Sequence, residues 1–157
     1  MSREEKVAPT SGLMDANGVH HLGVRVYYED TDSSGIVYYA NYLRFIERGR
    51  TDLMRLAGVT HSSIKKQSQI SFVVRRCNIK YLQPARLDDE LEVLTVLTRL
   101  RGSLLEMEQW VVRGKNKVAL AFISVACVNN EGALCGLSSE ARKALELIIK
   151  KNNLSVI

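Results

Sequence analysis

The chain has 157 residues, of which 46% are hydrophobic and 25% are charged. This is the size and composition of one globular domain, which excludes a wholly disordered chain. Lys and Arg number 22 against 17 Asp and Glu, a formal net charge of +5. Because this charge is spread along the chain and mixed with acids, we expect no nucleic-acid partner. No apolar run approaches the about 20 residues that span a bilayer, so we expect no integral membrane segment.

The beginning of the sequence is polar and contains Pro9, Gly12 and Gly18. Its acidic residues and its lack of an apolar stretch exclude a secretory signal peptide. We therefore expect residues 1–18 to form a mobile N-terminal arm that the fold does not need, followed by a single domain over residues 19–152.

The three cysteines, Cys77, Cys127 and Cys135, are odd in number and form no C-x-x-C pair. Together with the missing export signal, this usage indicates a reducing, cytoplasmic location. Cys77 and Cys127 lie in apolar, strand-like sequence, so we expect both thiols to be buried and unreactive.

The first half of the domain is predicted to contain one strand and one long helix. Residues 21–29 alternate apolar and polar positions, as a strand does, and residues 30–35 are rich in turn formers. Residues 39–58 place apolar side chains at helical spacing, and Gly58 is well placed to end the helix. A short helix over residues 62–67 is a further prediction.

Four further strands and a final helix are predicted after residue 69. The strands cover residues 70–82, 91–100, 104–112 and 118–128, with turns at Pro84, Gly102, Gly114 and Gly132. Strands joined by short turns are antiparallel neighbours, because a parallel return needs a long crossover. Ser138 or Ser139 is expected to cap the last helix.

This order of elements predicts an α+β domain in which one long helix packs on an antiparallel sheet. Several strands are apolar on both faces, as in residues 91–97 and 118–125. One helix covers only one face of a sheet. We therefore expect the second face to pack on another copy of the chain, in an oligomer of even order.

The stretch from Arg25 to Tyr42, RVYYEDTDSSGIVYYANY, is the strongest candidate for chemistry. A strand ends in acids, a turn follows, and a helix begins, whose unpaired N–H groups carry partial positive charge. Such groups stabilise the oxyanion of an ester or thioester carbonyl, while a carboxylate attacks the carbonyl or deprotonates a water that does. Asp32 precedes Tyr39 by seven positions, and Gly35 frees the turn to bring the two together. The structural alternative is that Asp32 is a turn or capping residue.

Other chemistries lack their sequence patterns. There is no H-E-x-x-H or Cys/His cluster for a metal, and no G-x-S-x-G for a serine hydrolase. Neither glycine-rich nucleotide motif, G-x-x-x-x-G-K-[ST] or G-x-G-x-x-G, is present. Asp88 and Asp89 follow Pro84 in a predicted turn, and we interpret them as solvated turn residues rather than a catalytic pair.

Three segments resemble the 4-hydroxybenzoyl-CoA thioesterase family of hotdog folds, and most closely the Tol–Pal-associated acyl-CoA thioesterases of Gram-negative bacteria. They are YYEDTDSSGIVYYANYLRFIERGRTDLMR (27–55), FVVRRCNIKYLQPARLDDELEV (72–93) and RGSLLEMEQ (101–109). The resemblance implies a hotdog fold, in which a five-stranded antiparallel sheet wraps one long central helix, and assembly into homodimers or tetramers. It also implies hydrolysis of an acyl-CoA to free acid and CoA, without a metal or redox cofactor.

By the same resemblance, Asp32 is the catalytic aspartate and Asp30 is its neighbour in the turn. The N–H of Tyr39, in the first turn of the helix, is the implied donor to the thioester carbonyl. Many close relatives carry His at this position, so the Tyr of this chain excludes a His-assisted mechanism. Gly35 and Arg101 are the implied substrate-binding residues. Arg101 is assigned to the phosphates of CoA, with a solvated turn arginine as the alternative.

Two other functions stay open at this level. One is hydrolysis of acyl groups carried on acyl carrier protein. The other is a non-catalytic role in which the fold binds an acyl-CoA or a cell-envelope partner, and the Tyr at position 39 favours it. Nucleophilic attack by Asp32 and activation of water by Asp32 both require the same residue, so both mechanisms stay open.

Overall fold

The computed structural model describes residues 10–59 and 69–154. The elements in chain order are strands β1 (Leu13–Met14) and β2 (His20–Arg25), a 3₁₀ turn (Tyr28–Asp30), helix α1 (Asn41–Leu56), strands β3 (Ile70–Tyr81), β4 (Glu90–Arg101), β5 (Leu104–Arg113) and β6 (Asn116–Asn129), and helix α2 (Ser139–Leu154). The α+β class and the predicted order of the long elements are confirmed. The short helix predicted over residues 62–67 lies outside the described residues.

The strands form one antiparallel sheet in the order β1-β2-β4-β5-β6-β3. The sequence predicts five strands, and the sixth is β1, a two-residue strand that lies before the predicted domain. Strands β3 to β6 match their predicted bounds to within two residues. The turns after β4 and β5 lie where the sequence predicts them, because Gly102 and Gly114 take the left-handed conformation that favours glycine.

Residues 10–18 pack on the domain, whereas the sequence predicts them to be part of a mobile arm. The Oδ1 of Asp15 accepts hydrogen bonds from the N–H groups of Asn17 and Val19, each at 2.9 Å, and so folds β1 back onto β2. Gly18 is buried in this turn with a φ of +75°, and a Cβ there would lie 2.9 Å from the carbonyl oxygen of Ile148. Turn chemistry and a close contact with α2, rather than an apolar pattern, position this segment.

Helix α1 packs across the middle of the sheet. Its apolar stripe is buried, and Phe45, Ile46 and Leu53 are at most 1% exposed. Burial of each such side chain stabilises the fold by about 1.5–3 kcal/mol. The helix approaches the sheet most closely at Gly49, where a Cβ would lie 2.7 Å from Val93 Cγ1. A larger residue at this position would push the helix away from the sheet.

A row of polar side chains crosses the same core. His20, Thr95 and Gln109 are paired neighbours on β2, β4 and β5, and all three are fully buried. Gln109 Nε2 donates to the Thr95 hydroxyl at 2.9 Å and to the carbonyl of Ile46 on α1 at 2.7 Å. Asp52, also on α1, lies 2.7 Å from His20 Nε2 through its Oδ2. These bonds pair most of the buried polar atoms and connect three strands to the helix.

Strand β3 forms one edge of the sheet and pairs only with β6 among the described residues. Its side chains are mostly exposed, including Val73 at 44% and Val74 at 49%. Cys77 on β3 is exposed as well, so the prediction of a buried thiol is wrong there, because none of the described residues forms a second layer over this part of the strand. Cys127 on β6 is buried, as predicted.

The two ends of the sheet carry different loops. The end where β4 begins carries a hairpin of residues 30–38 and a turn of residues 84–89, joined by backbone hydrogen bonds. The opposite end carries the β4–β5 turn, where Arg142 of α2 donates to the carbonyl of Gly102 at 2.7 Å. Asp32 lies at the first of these ends.

Candidate active site

Asp32 lies at the tip of the hairpin of residues 30–38. Thr31 pairs with Val37 in an isolated bridge. The Asp32 N–H donates to the carbonyl of Ile36 at 2.9 Å, and the Gly35 N–H donates to the carbonyl of Asp32 at 3.1 Å. Gly35 has a φ of +78°, which other residues rarely adopt, so a glycine is what lets the turn close here.

The turn of residues 84–89 holds this hairpin in place. The Val37 N–H donates to the carbonyl of Ala85 at 2.8 Å, and the Leu87 N–H donates to that of Gly35 at 3.3 Å. Ala85 is fully buried, and its own N–H donates to the Tyr42 hydroxyl of α1 at 3.2 Å. Two of the segments that carry the sequence resemblance, EDTDSSGIVYY and YLQPARLDD, therefore contact each other.

Asp88 and Asp89 shape that turn. Asp89 Oδ2 accepts hydrogen bonds from the Arg86 N–H at 2.8 Å and from Arg113 Nη1 at 2.6 Å. Asp88 is exposed and has a φ of +70°. Both positions agree with the turn residues expected from the sequence.

The Asp32 side chain is exposed, and only one of its two oxygens accepts hydrogen bonds from the described residues. Its Oδ1 accepts hydrogen bonds from the N–H of Ser34, at 2.8 Å, and from the Ser34 hydroxyl. Its Oδ2 accepts none from the residues that the structure describes. The Ser34 hydroxyl and N–H lower the pKa of Asp32 below its usual value, so the carboxylate is ionised at neutral pH. One carboxylate oxygen is therefore held by Ser34, and the other lies on an exposed side chain without a bond to the described residues.

Asp30, two residues earlier, is buried, and both its side chain and its carbonyl accept hydrogen bonds within the loop. Its Oδ2 accepts a hydrogen bond from the Tyr27 N–H at 2.9 Å. Its carbonyl accepts from the Tyr38 N–H and from the side-chain amide of Asn41, both at 2.9 Å. These bonds join the base of the hairpin to the first residue of α1, so Asp30 builds the loop on which Asp32 lies.

Tyr39 lies two residues before α1, whereas the sequence places it in the first helical turn. A separate turn, closed by the Asn41 N–H on the carbonyl of Tyr38 at 2.8 Å, precedes the helix. The Tyr39 N–H donates to none of the described residues and is available to a ligand. The Tyr39 carbonyl accepts from the Tyr81 hydroxyl at 2.9 Å, and its ring packs edge-on against the rings of Tyr38 and Tyr81.

The hairpin brings the predicted residues Asp32, Gly35 and Tyr39 into one loop. Asp30 lies opposite Tyr38, so Asp32 lies toward the tip of the hairpin and Tyr39 lies just past its base. Within the described part of the chain, no hydrogen bond joins Asp32 to Tyr39. The Asp32 carboxylate and the Tyr39 N–H are therefore not bonded to each other in this part of the chain.

Arg101 is not part of this cluster. It is the last residue of β4, and the hairpin lies beside the first. A strand of 12 residues spans about 36 Å, at ~3.3 Å per residue. Arg101 is exposed at the far end of the sheet, so one copy of the chain does not bring it to Asp32.

Ser34, Asn41 and Tyr81 also shape the site, although no prediction singles them out. The spacing Asp32-x-Ser34 is a local signal, because an Asp side chain in a turn commonly accepts a bond from the residue two positions on. The bonds of Asn41 and Tyr81 join residues 11 and 42 positions apart, which leaves no local signal.

The described residues contain no group of three or more His, Cys, Asp or Glu side chains placed to hold a metal ion. Neither α1 nor α2 has the length and apolar character needed to cross a membrane. The chemical groups in the hairpin and just past its base are thus an ionised carboxylate, a backbone N–H that donates to none of the described residues, and tyrosine rings.

The chain is similar in sequence to known proteins. Residues 26–146 match the profile of the Thioesterase-like superfamily. The chain is 42% identical over 106 residues to the acyl-CoA thioesterase YbgC of Haemophilus influenzae, covering 68% of this chain and 78% of that protein. It is 42% identical over 107 residues to the acyl-CoA thioester hydrolase YbgC of Escherichia coli O157:H7, covering 68% and 79%.

Solved structures share the fold. A probable thioesterase from Bartonella henselae superposes with a TM-score of 0.74 at 36% identity, covering 76% of this chain and 99% of that chain. A thioesterase from Thermus thermophilus, complexed with coenzyme A and Zn, superposes with a TM-score of 0.71 at 25% identity, covering 87% and 98%. The resemblance predicted from the sequence is confirmed: the chain belongs to the thioesterase-like superfamily of hotdog folds.

Proposed function

We propose that this protein hydrolyses acyl-CoA thioesters and that Asp32 is its catalytic carboxylate. The observation that carries the proposal is the contrast between two neighbouring aspartates. Asp30 is buried, and its side chain and backbone are bonded to the loop. Asp32 is exposed and ionised, and one of its oxygens accepts no hydrogen bond from the described residues. The acyl-CoA thioesterase activity named for the relatives from H. influenzae and E. coli supports the substrate class.

The reaction adds water across the thioester bond. The carbon–sulfur bond breaks, the acyl group gains an oxygen, and CoA leaves as a thiol. Asp32 Oδ2 takes part either by attacking the carbonyl carbon, which forms an anhydride that water then opens, or by taking a proton from the attacking water. In both cases negative charge moves to the carbonyl oxygen, and this charge needs a donor.

The N–H of Tyr39 is the proposed donor to that oxygen. It is unpaired in the described part of the chain, and the Tyr81 hydroxyl holds the carbonyl of the same residue at 2.9 Å. A preorganised donor of this kind contributes about 10²–10³-fold to the rate of acyl transfer. The backbone supplies the donor, so the Tyr39 side chain need not act as an acid or a base.

We extend the proposal to a homo-oligomer of even order, a dimer or a tetramer. The outer edge of β3 is unpaired among the described residues, and Val73 and Val74 are exposed on it. A long exposed strand edge with apolar side chains favours pairing with another chain. The predicted contact of Arg101 with CoA phosphates also requires a second copy, because Arg101 lies far from Asp32 in one protomer. Sedimentation as a monomer at micromolar concentration would contradict this.

Thiol release from acyl-CoA substrates of different chain length and aromaticity tests the proposed activity. We expect free CoA and free acid to appear in equal amounts from at least one substrate. Faster turnover of the same acyl group on acyl carrier protein would favour a carrier-protein thioesterase. Binding of acyl-CoA without release from any substrate would identify a binding protein and overturn the enzymatic proposal.

A further inference from the structure

Two cysteines meet where β6 ends, outside the Asp32 hairpin. Beyond β6 the chain turns back on itself, and Val128 pairs with Leu134 in an isolated bridge. One residue further from the turn, the Cys135 N–H donates to the carbonyl of Cys127 at 3.0 Å. This register sets Cys127 and Cys135 opposite each other on adjacent antiparallel segments.

The two thiols are already in contact, with their Sγ atoms 3.5 Å apart. Residues opposite each other on antiparallel segments have Cα atoms about 4.5–5.5 Å apart, within the range of about 4.4–6.8 Å that disulfides use. We infer that rotation of the two side chains can form the bond. Cys127 is 1% exposed and Cys135 is partly exposed, so the two thiols differ in access to solvent.

We propose that Cys127 and Cys135 form a reversible redox site that low-molecular-weight disulfides oxidise to an intramolecular disulfide. The more accessible Cys135 reacts first: its thiolate attacks a disulfide R–S–S–R, forms a mixed disulfide and releases one R–SH after proton uptake. The sulfur of Cys127 then loses its proton, attacks the sulfur of Cys135 and releases the second R–SH. The protein loses two hydrogens in total, and one R–S–S–R becomes two R–SH.

The difference in access between the thiols fixes this order. Burial, together with the contact to Cys135, raises the pKa of Cys127 to about 12. Cys127 is therefore almost entirely a thiol at neutral pH and does not react first. Once Cys135 carries a mixed disulfide, the sulfur of Cys127 is the group already in contact with it.

The crosslink joins the end of β6 to the segment that leads into α2. Ser138 follows Cys135 by three residues, and its Oγ accepts a hydrogen bond from the Ala141 N–H at 3.2 Å at the start of that helix. A disulfide that closes this short loop restricts the unfolded chain, so we expect the oxidised protein to melt a few degrees higher.

Oxidised glutathione is the probe, applied to the full-length protein, followed by alkylation in denaturant and peptide mapping by mass spectrometry. We expect a disulfide between the peptides that hold Cys127 and Cys135, reversed by dithiothreitol. Cys77, exposed on β3, is the internal control and should be found alkylated or as a simple glutathione adduct. The Cys127→Ser variant should accumulate a stable adduct on Cys135, and the Cys135→Ser variant should leave Cys127 unmodified.

Glutathione adducts on Cys135 of the wild-type protein without the crosslink would overturn the proposal, as would oxidation confined to Cys77. The wild-type measurement needs no substitution, so a variant that fails to fold leaves the test intact. The readout is a covalent bond rather than turnover, so its outcome is independent of whether the chain hydrolyses acyl-CoA.

Discussion

Asp32 and Asp52 place the same side chain in opposite surroundings. Asp52 lies between α1 and the sheet, is 4% exposed, and its Oδ2 lies 2.7 Å from His20 Nε2 and accepts from the Gly12 N–H at 2.8 Å. Its Oδ1 faces Arg55 at 3.7 Å. Asp32 lies on an exposed hairpin, and among the described residues its side chain bonds only to Ser34, through one oxygen. The buried carboxylate joins α1 to the sheet, whereas the exposed one has an oxygen without a hydrogen bond to the described residues, as the proposed reaction requires.

The neutral state of His20 agrees with a structural role for its pair with Asp52. Burial lowers the pKa of His20, despite the opposing effect of Asp52, so its imidazole is neutral at neutral pH and donates through Nε2. Its Nδ1 has no hydrogen-bond partner among the described residues. A neutral ring tolerates this better than a charged one, because an unpaired buried charge is far more costly. The pair of His20 and Asp52 holds residues 10–18 and α1 to the sheet.

Replacing Asp52 with Ala should produce the largest loss of stability. The substitution leaves the buried Nε2–H of His20 and the half-buried N–H of Gly12 without an acceptor, which costs about 2–4 kcal/mol in the free energy of unfolding. Urea denaturation measures the loss. Arg55→Ala is the control and should cost less than about 1 kcal/mol, because its side chain is 57% exposed. Equal midpoints for the two variants would show that the buried carboxylate is not structural.

Replacing Asp30 with Ala should destabilise the protein where Asp32→Ala does not. Asp30→Ala removes the acceptor of the Tyr27 N–H at the base of the hairpin, at a cost of about 1–2 kcal/mol. Asp32→Ala removes only exposed bonds to Ser34 and should stay within about 0.5 kcal/mol of wild type. The unfolding midpoints of the two variants test this difference. A larger loss of stability in Asp32→Ala than in Asp30→Ala would assign the structural role to Asp32.

Gly35→Ala should cost about 1 kcal/mol in stability, because alanine is strained at a φ of +78° although nothing lies within 4 Å of the added Cβ. We also expect turnover to fall, since the strained turn carries Asp32. Gly23→Ala on β2 is the matched control, with equally open space and no positive φ, and it should leave both properties near wild type. Equal effects of the two substitutions would contradict the conformational role of Gly35.

The smallest expected effect is the pH dependence of the stability that His21 contributes. Burial alone would lower the pKa of His21, but its hydrogen bonds to Asp15, at 2.9 Å, and Glu92, at 3.0 Å, outweigh it and raise the pKa. The resulting stabilisation is complete below the unfolded pKa of about 6.5 and is lost as the pH rises through the folded value. His21→Gln should therefore destabilise the protein more at pH 6 than at pH 9, by about 1 kcal/mol or less. Equal losses at both pH values would refute this.

The exposed and buried regions also differ in how far the sequence reveals them. Helix α1 and strands β3 to β6 follow the apolar pattern and turn glycines, because these signals are local. The hydrogen bond of Asp52 with His20 spans 32 positions and that with Gly12 spans 40, so no local pattern indicates them, and residues 10–18 are predicted as a mobile arm. Within the hairpin, spacing alone does not separate Asp30 from Asp32. The family resemblance makes that choice, and the burial of Asp30 supports it.

The Asp32→Asn variant, compared with Asp30→Asn in thiol release from the best acyl-CoA substrate, tests the central claim most directly. Asparagine at position 32 keeps an oxygen for the Ser34 bonds but neither attacks a thioester nor takes a proton from water. We predict that kcat falls by at least ~10²–10⁴-fold, with the melting temperature and KM little changed. Asparagine at position 30 keeps the acceptor for the Tyr27 N–H, so the loss of kcat should be far smaller. Equal losses in the two folded variants, or near wild-type turnover by Asp32→Asn, would contradict the assignment of Asp32.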